Sequence, residues 1–210
     1  MGFAQQERDA LCDALDAVGP QAPTLCEGWD AHDLAAHLWL RENDPAAATG
    51  ILIPALAEVT RTRTEQLMRR WHYAELVQRI RKGPGPVSVF SLPGVDDLAN
   101  TGEFFVHCED VRRANGEGPR ATTREFEDEI AKGLARTAKA LFRDAPAGIV
   151  LERTDVPQRM RARKGGRTIT LAGTPSELLL FAFGRMSVAR VDVIGEDADV
   201  EDLLADHRGF

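Results

Sequence analysis

Apolar residues recur at helical spacing along the first two-thirds of the chain. Leu11, Leu15 and Val18 share one face of a helix over about Phe3 to Val18, which Gly19-Pro20 ends. Asp30 predicts the cap of a second helix. Asp33 completes a capping box three residues later, and Trp29 stands where a staple residue belongs. This helix carries Leu34, His37, Leu38 and Leu40 and fades at Asn43-Asp44-Pro45. A third helical stretch covers about Ile53 to Arg81, with a break near Trp71-His72, and Lys82-Gly83-Pro84-Gly85-Pro86 is a loop by composition. A fourth helix runs from about Val95 to Ala114 and closes at Asn115-Gly116. A fifth runs from about Thr123 to Phe142.

After Pro146 the period changes. Gly148 to Arg153 reads as a strand, and Met160 and Ala162 alternate with Arg159, Arg161 and Arg163. Lys164-Gly165-Gly166-Arg167 reads as a hairpin turn, with Thr168 to Leu171 as the return strand. Thr174-Pro175-Ser176-Glu177 predicts a helix start with a threonine cap and a glutamate completing the box. The helix holds Leu178 to Phe183. A strand over Val188 to Ile194 and a short helix over Val200 to Ala205 follow. The expectation is an α+β chain divided near Pro146. Residues 1–146 form a helical part and 147–210 a small α/β part.

A chain of 210 residues has room for one or two domains. Its net charge of −7 argues against a nucleic-acid surface or an anionic membrane as partner, since both need a basic face. Cys12, Cys26 and Cys108 show no paired spacing, so they read as incidental core residues rather than a disulfide framework or a zinc ribbon. Met1 to Glu7 lacks a basic flank before an apolar core, and Leu178 to Phe183 is too short to span a membrane. These features predict a soluble cytoplasmic protein.

The chemistry concentrates on two helices. Glu103 and His107 are four residues apart, about 40° around a helix axis and therefore on one face. His37 repeats the setting on the second helix, with Asp33 about 40° away. Two histidines and a carboxylate from two helices supply three ligands for a divalent metal and leave a position open, as a catalytic site requires. The competing reading of Glu103 and His107 is an ordinary ion pair one helical turn apart. His32 and His207 are expected at the surface, and His72 in the core or at its rim. Asp110 either accepts a bond from the site or pairs with Arg112 or Arg113.

Three segments resemble a known family. Leu25-Cys26-Glu27-Gly28-Trp29 with Asp33-Leu34-Ala35-Ala36-His37-Leu38 resembles the signature of the DinB-like, mycothiol-dependent maleylpyruvate isomerase superfamily. Asn100 to His107, continuing to Arg113, resembles its second metal motif. Gly173 to Leu178 with Phe183-Gly184-Arg185 resembles the family's small C-terminal domain. The likeness is greatest to an uncharacterised actinobacterial metal-binding branch. It implies a DinB-like four-helix bundle with a divalent metal, usually zinc, on His37, Glu103 and His107. It also implies a sterol-carrier-like C-terminal domain that can close over the metal. Arg185 matches an arginine that the family places near the substrate. Its alternative reading is a cation at a helix C-terminus.

The resemblance further implies a mechanism and a cosubstrate. Mycothiol is the thiol, and thiolate adds to an activated double bond, the adduct rotates, and elimination releases the other isomer. By analogy this chain is a mycothiol-dependent isomerase or S-transferase acting on a small acidic or electrophilic substrate, whose carboxylate Arg185 pairs. The alternative is a non-catalytic, metal-dependent small-ligand binding protein. The basic run Arg159, Arg161, Arg163, Lys164 and Arg167 motivates it, and that run also reads as a solvated strand face.

Overall fold

The structure, a computed structural model, describes residues 2–44, 57–85, 88–91 and 95–206. The chain is α+β. It separates into two compact units, Met1–Pro119 and Arg120–Phe210.

The first unit is helical among its described residues. Helix α1 spans Phe3–Val18, α2 Ala31–Asn43, α3 Ala57–Arg70, α4 Tyr73–Arg81 and α5 Val95–Ala114. The second helix begins as its sequence dictates. Asp30 accepts from the His32 and Asp33 backbones, and Asp33 accepts from the Asp30 backbone in return. The expected break at Trp71-His72 separates α3 from α4, and residues 53–56 lie outside the described part. Leu11, Leu15, Leu34, Leu38, Ile80 and Phe104 meet in one buried core. Gly116, at φ 85°, closes α5 in the left-handed conformation that glycine adopts without strain.

The loop between α1 and α2 is tied down at both ends. Pro23 and Asp30 form a bridge, and the Leu25 backbone donates to the Asp110 carbonyl on α5 at 3.2 Å. The loop therefore lies along α5 and carries Cys26 and Trp29 with it.

The second unit starts before the boundary expected near Pro146. Helix α6, Arg124–Leu141, belongs with the sheet, because its buried face of Phe126, Ile130, Leu134 and Ala138 packs on helix α7 and strand β2. Thr123 caps α6, its hydroxyl accepting from the Phe126 backbone at 3.3 Å. The remaining elements are β1 Gly148–Arg153, β2 Gln158–Arg163, β3 Thr168–Gly173, α7 Pro175–Ala182, β4 Asp192–Ile194 and α8 Asp197–Asp206. The last strand is shorter than the predicted Val188 to Ile194.

The sheet order is β2-β1-β3-β4. The expected hairpin across Lys164 to Arg167 does not form. Instead β2 pairs antiparallel with β1, and β3 pairs parallel with the other edge of β1. The apolar strand β1, with Ile149 and Leu151 buried, takes the inner position and leaves arginine-bearing β2 at the edge. The link from β2 to β3 must then cross the start of β1. It does so on two glycines: a Cβ on Gly148 would lie 2.9 Å from the Gly165 nitrogen.

Helix α7 also starts differently from its sequence signature. Thr174 makes no side-chain cap bond and Glu177 does not complete a box. Glu127 of α6 takes the role, accepting from the Ser176 backbone at 2.8 Å and its hydroxyl at 2.7 Å. Glu177 accepts from the Arg190 backbone instead. A carboxylate at a helix N-terminus satisfies otherwise unpaired N–H groups and complements the helix dipole.

Candidate metal centre

His37 lies on α2 and Glu103 and His107 on α5. Glu103 Oε1 is 3.3 Å from His107 Nε2 and 3.8 Å from His37 Nε2. The ligating atoms of all three lie within 4.8 Å of one another. Donors around a tetrahedral ion with bonds of about 2.1 Å stand roughly 3.4 Å apart, so this donor set fits a zinc-sized divalent ion. The two imidazoles meet edge to face with centroids 5.5 Å apart, and both Nε2 atoms face the shared carboxylate. His37 and His107 are 9% and 8% exposed, so an ion held here would be largely shielded from bulk water.

The electrostatics follow from burial and from the neighbours. Burial pushes His37 down, and its bond to Glu103 only partly offsets this. Burial pushes His107 down too, but bonds to Asp110, Cys26 and Glu103 outweigh it and hold this imidazole well above the usual histidine range. Burial alone would raise Glu103. The two histidines and Arg41 overcome it and keep the carboxyl ionised, well below its ordinary value. An ionised carboxylate is the form a metal ligand needs.

A second set of contacts stands behind His107. Its Nδ1 is 3.0 Å from Asp110 Oδ2, so Asp110 accepts a bond from the site, the first of its two alternatives. Arg112 and Arg113 each pair with Glu109. Cys26 donates its thiol to the same Asp110 oxygen at 3.2 Å. Cys12 and Cys108 are fully buried, as expected of core thiols, whereas Cys26 is partly exposed and is not an incidental core residue. Trp29 flanks the other histidine, with its ring 5.0 Å from that of His37. Sequence spacing could not reveal Cys26, because the loop fold alone brings it to Asp110.

The remaining expectations divide. Asp33 is spent on the α2 cap. His32 is half-buried against Tyr73 rather than exposed, with ring centroids 5.6 Å apart, and His72, expected in the core or at its rim, is exposed. His207 lies outside the described residues. Arg185 sits after α7 in the second unit, where its Nη1 donates to the Phe183 carbonyl at 2.6 Å. That contact fits the reading as a cation at a helix C-terminus. Arg159 pairs with Glu152 and Arg167 with Asp199, while Arg163 donates to the Arg143 and Ala147 carbonyls. These three cations of the basic run serve local structure.

The chain superposes on a crystal structure of the mycothiol-dependent maleylpyruvate isomerase with a TM-score of 0.51. The match covers 92% of this chain and 91% of that one, at 18% identity. It shares that isomerase's fold. A mutant form of the isomerase aligns with a TM-score of 0.48 at 17% identity. No family model and no curated protein matches the chain. The fold likeness inferred from the motifs is thus observed. No described helix is long and apolar enough to cross a membrane.

Proposed function

We propose that the chain binds one divalent metal ion, zinc by its nitrogen and oxygen donors, through His37, Glu103 and His107. We propose further that it uses the ion in thiol-dependent isomerase or S-transferase chemistry on a small electrophilic acid, with mycothiol as the thiol. The observation that carries the reading is the gathering of three donors within 4.8 Å of one another, with Glu103 Oε1 at 3.3 and 3.8 Å from the two imidazoles. Three protein donors leave a fourth position for a water or a thiol.

A divalent ion bound there would supply acidification of a coordinated thiol, giving thiolate at neutral pH. The chain's own residues supply the setting. Asp110 fixes the orientation of His107 through Nδ1, and Arg41 contacts the Glu103 carboxylate at 3.3 Å. Burial of both histidines limits competition from water for the open position. By the motif resemblance Arg185 would pair a substrate carboxylate. The superfamily layout of a helical bundle followed by a sterol-carrier-like domain belongs to the same reading.

Elemental analysis of the purified protein tests the site. About one divalent ion per chain is expected, and His37→Ala and His107→Ala should each lose it. Full occupancy in both variants would overturn the ligand set. Turnover of electrophilic acids with mycothiol, with and without chelator, tests the chemistry. A bound ion with no metal-dependent turnover would instead favour a non-catalytic ligand-binding protein.

A further inference from the structure

The first unit carries a line of polar side chains through its core. Arg8 of α1 is fully buried and makes a two-pronged contact with Glu42 of α2, Nη1 to Oε2 at 2.6 Å and Nη2 to Oε1 at 2.7 Å. Its guanidinium lies 4.4 Å over the Phe104 ring, and Nη1 also donates to the Ile80 carbonyl. Glu42 Oε1 accepts in turn from Asn100 Nδ2 at 2.8 Å. The Asn100 oxygen accepts from Arg41 Nη1, and Arg41 Nε reaches Glu103 Oε1. The line ends on the carboxylate oxygen that faces both histidines.

A buried ion pair is a poor source of stability, because desolvation of both charges consumes most of the attraction. The direction of this line suggests another purpose. Ionised Glu42 can only accept, so Asn100 must turn its amide NH2 toward Glu42 and its oxygen toward Arg41. Arg8 neutralises Glu42 and fixes its plane. Arg41 is thereby held from one side by Asn100 and from another by the Phe90 ring, 5.1 Å from its guanidinium carbon. Asn100 and Glu103 stand three residues apart on α5, and His37 and Arg41 four apart on α2, so each partner lies one helical turn from a proposed ligand.

We propose that Arg41 is a positioning residue for Glu103, locked through Asn100 by the buried Arg8–Glu42 pair. It fixes Oε1 between the two histidine Nε2 atoms. The inference rests on the metal-centre reading and deepens it. Arg41 touches the carboxylate rather than the ion, as the outer partners of ligating carboxylates commonly do.

The test uses the whole chain, with zinc affinity read by chelator competition and site geometry read from the visible absorption of the cobalt-substituted protein. Arg41→Met should weaken zinc binding by about 10- to 100-fold and change the cobalt band. Arg41→Lys, which keeps the charge but cannot hold both acceptors, should recover part of each. Glu42→Gln, remote from the site, frees the Asn100 amide to turn and should shift the cobalt band in the same direction. A merely structural strut would lower the melting temperature and leave the cobalt spectrum of the folded protein unchanged. Wild-type affinity and an unaltered cobalt band in folded Arg41→Met would overturn the inference. A wild-type chain that binds neither ion would overturn the metal-centre reading itself. Should Glu42→Gln fail to fold, the Arg41 pair decides alone, since the Arg41 side chain is 18% exposed.

Discussion

His107 Nδ1 and Asp110 Oδ2 lie 3.0 Å apart, one helical turn from each other on α5. The contact anchors Nδ1 and so holds the ring with Nε2 toward Glu103. Asp110→Asn keeps the shape but removes the charge. It should weaken divalent metal binding by about 10- to 100-fold, as measured by chelator competition, and leave the helical circular dichroism intact.

The thiols should differ sharply in reactivity. Burial pushes the Cys12 thiol up to about 12, so it stays protonated throughout the neutral range. Cys108 is fully buried as well. At a pH of about 8 the native protein should label quickly at Cys26 alone, and all three thiols should label in denaturant. Mass mapping of the labelled peptides reads the result. Equal labelling of Cys12 in the native state would contradict the packing around α1.

Helix α7 depends on a carboxylate from another element. Glu127 is buried and caps the helix through Ser176, whereas Thr174 does not. Glu127→Ala should destabilise the second unit by about 2 kcal/mol, the upper end for a lost cap, because the Ser176 donors lose a buried acceptor. Thr174→Ala should cost far less. Urea denaturation compares the two, and a larger loss at Thr174 would refute the assignment.

Acid should loosen the β1–β2 turn and its tie to α6. Arg153 holds Asp155 and Asp128 below the ordinary carboxylate range, through hydrogen bonds first and charge second. A depressed folded-state value means the contribution is complete above the unfolded value of about 3.9 and is lost as pH falls below it. Arg153→Met should therefore shrink the fall in melting temperature between about pH 6 and about pH 3. An unchanged fall would mean these pairs are screened by solvent.

Much of the helical unit is legible in its sequence, because its signals are local. The Asp30–Asp33 box, the Trp71-His72 break and the Glu103–His107 spacing each need only a few residues to be read. Arg41 was within reach of the same arithmetic, standing four residues after His37. Asn100, Glu42 and Arg8 were not, since their meeting depends on how three helices pack. The sheet fails for a related reason. The Lys164 to Arg167 stretch has the composition of a tight turn, but a turn does not name the partner of the strand it releases. Likewise Thr174 to Glu177 has every mark of a self-capped helix, and the acceptor that wins comes from 49 residues earlier.

The close approach of Gly148 and Gly165 has a meaning beyond packing. The local sequence favours a rival sheet in which β2 folds straight back on β3. That arrangement makes no use of bare backbone at either position. The observed one requires it, because the chain steps over itself there: the Gly148 N–H donates to the Arg167 carbonyl, and a Cβ on Gly165 would lie 2.8 Å from the Gly148 Cα. Two missing methyl groups thus decide between two ways of wiring the same strands. Alanine at both sites would penalise the native wiring alone, and the error would surface as misfolded chain rather than as a slightly weaker protein.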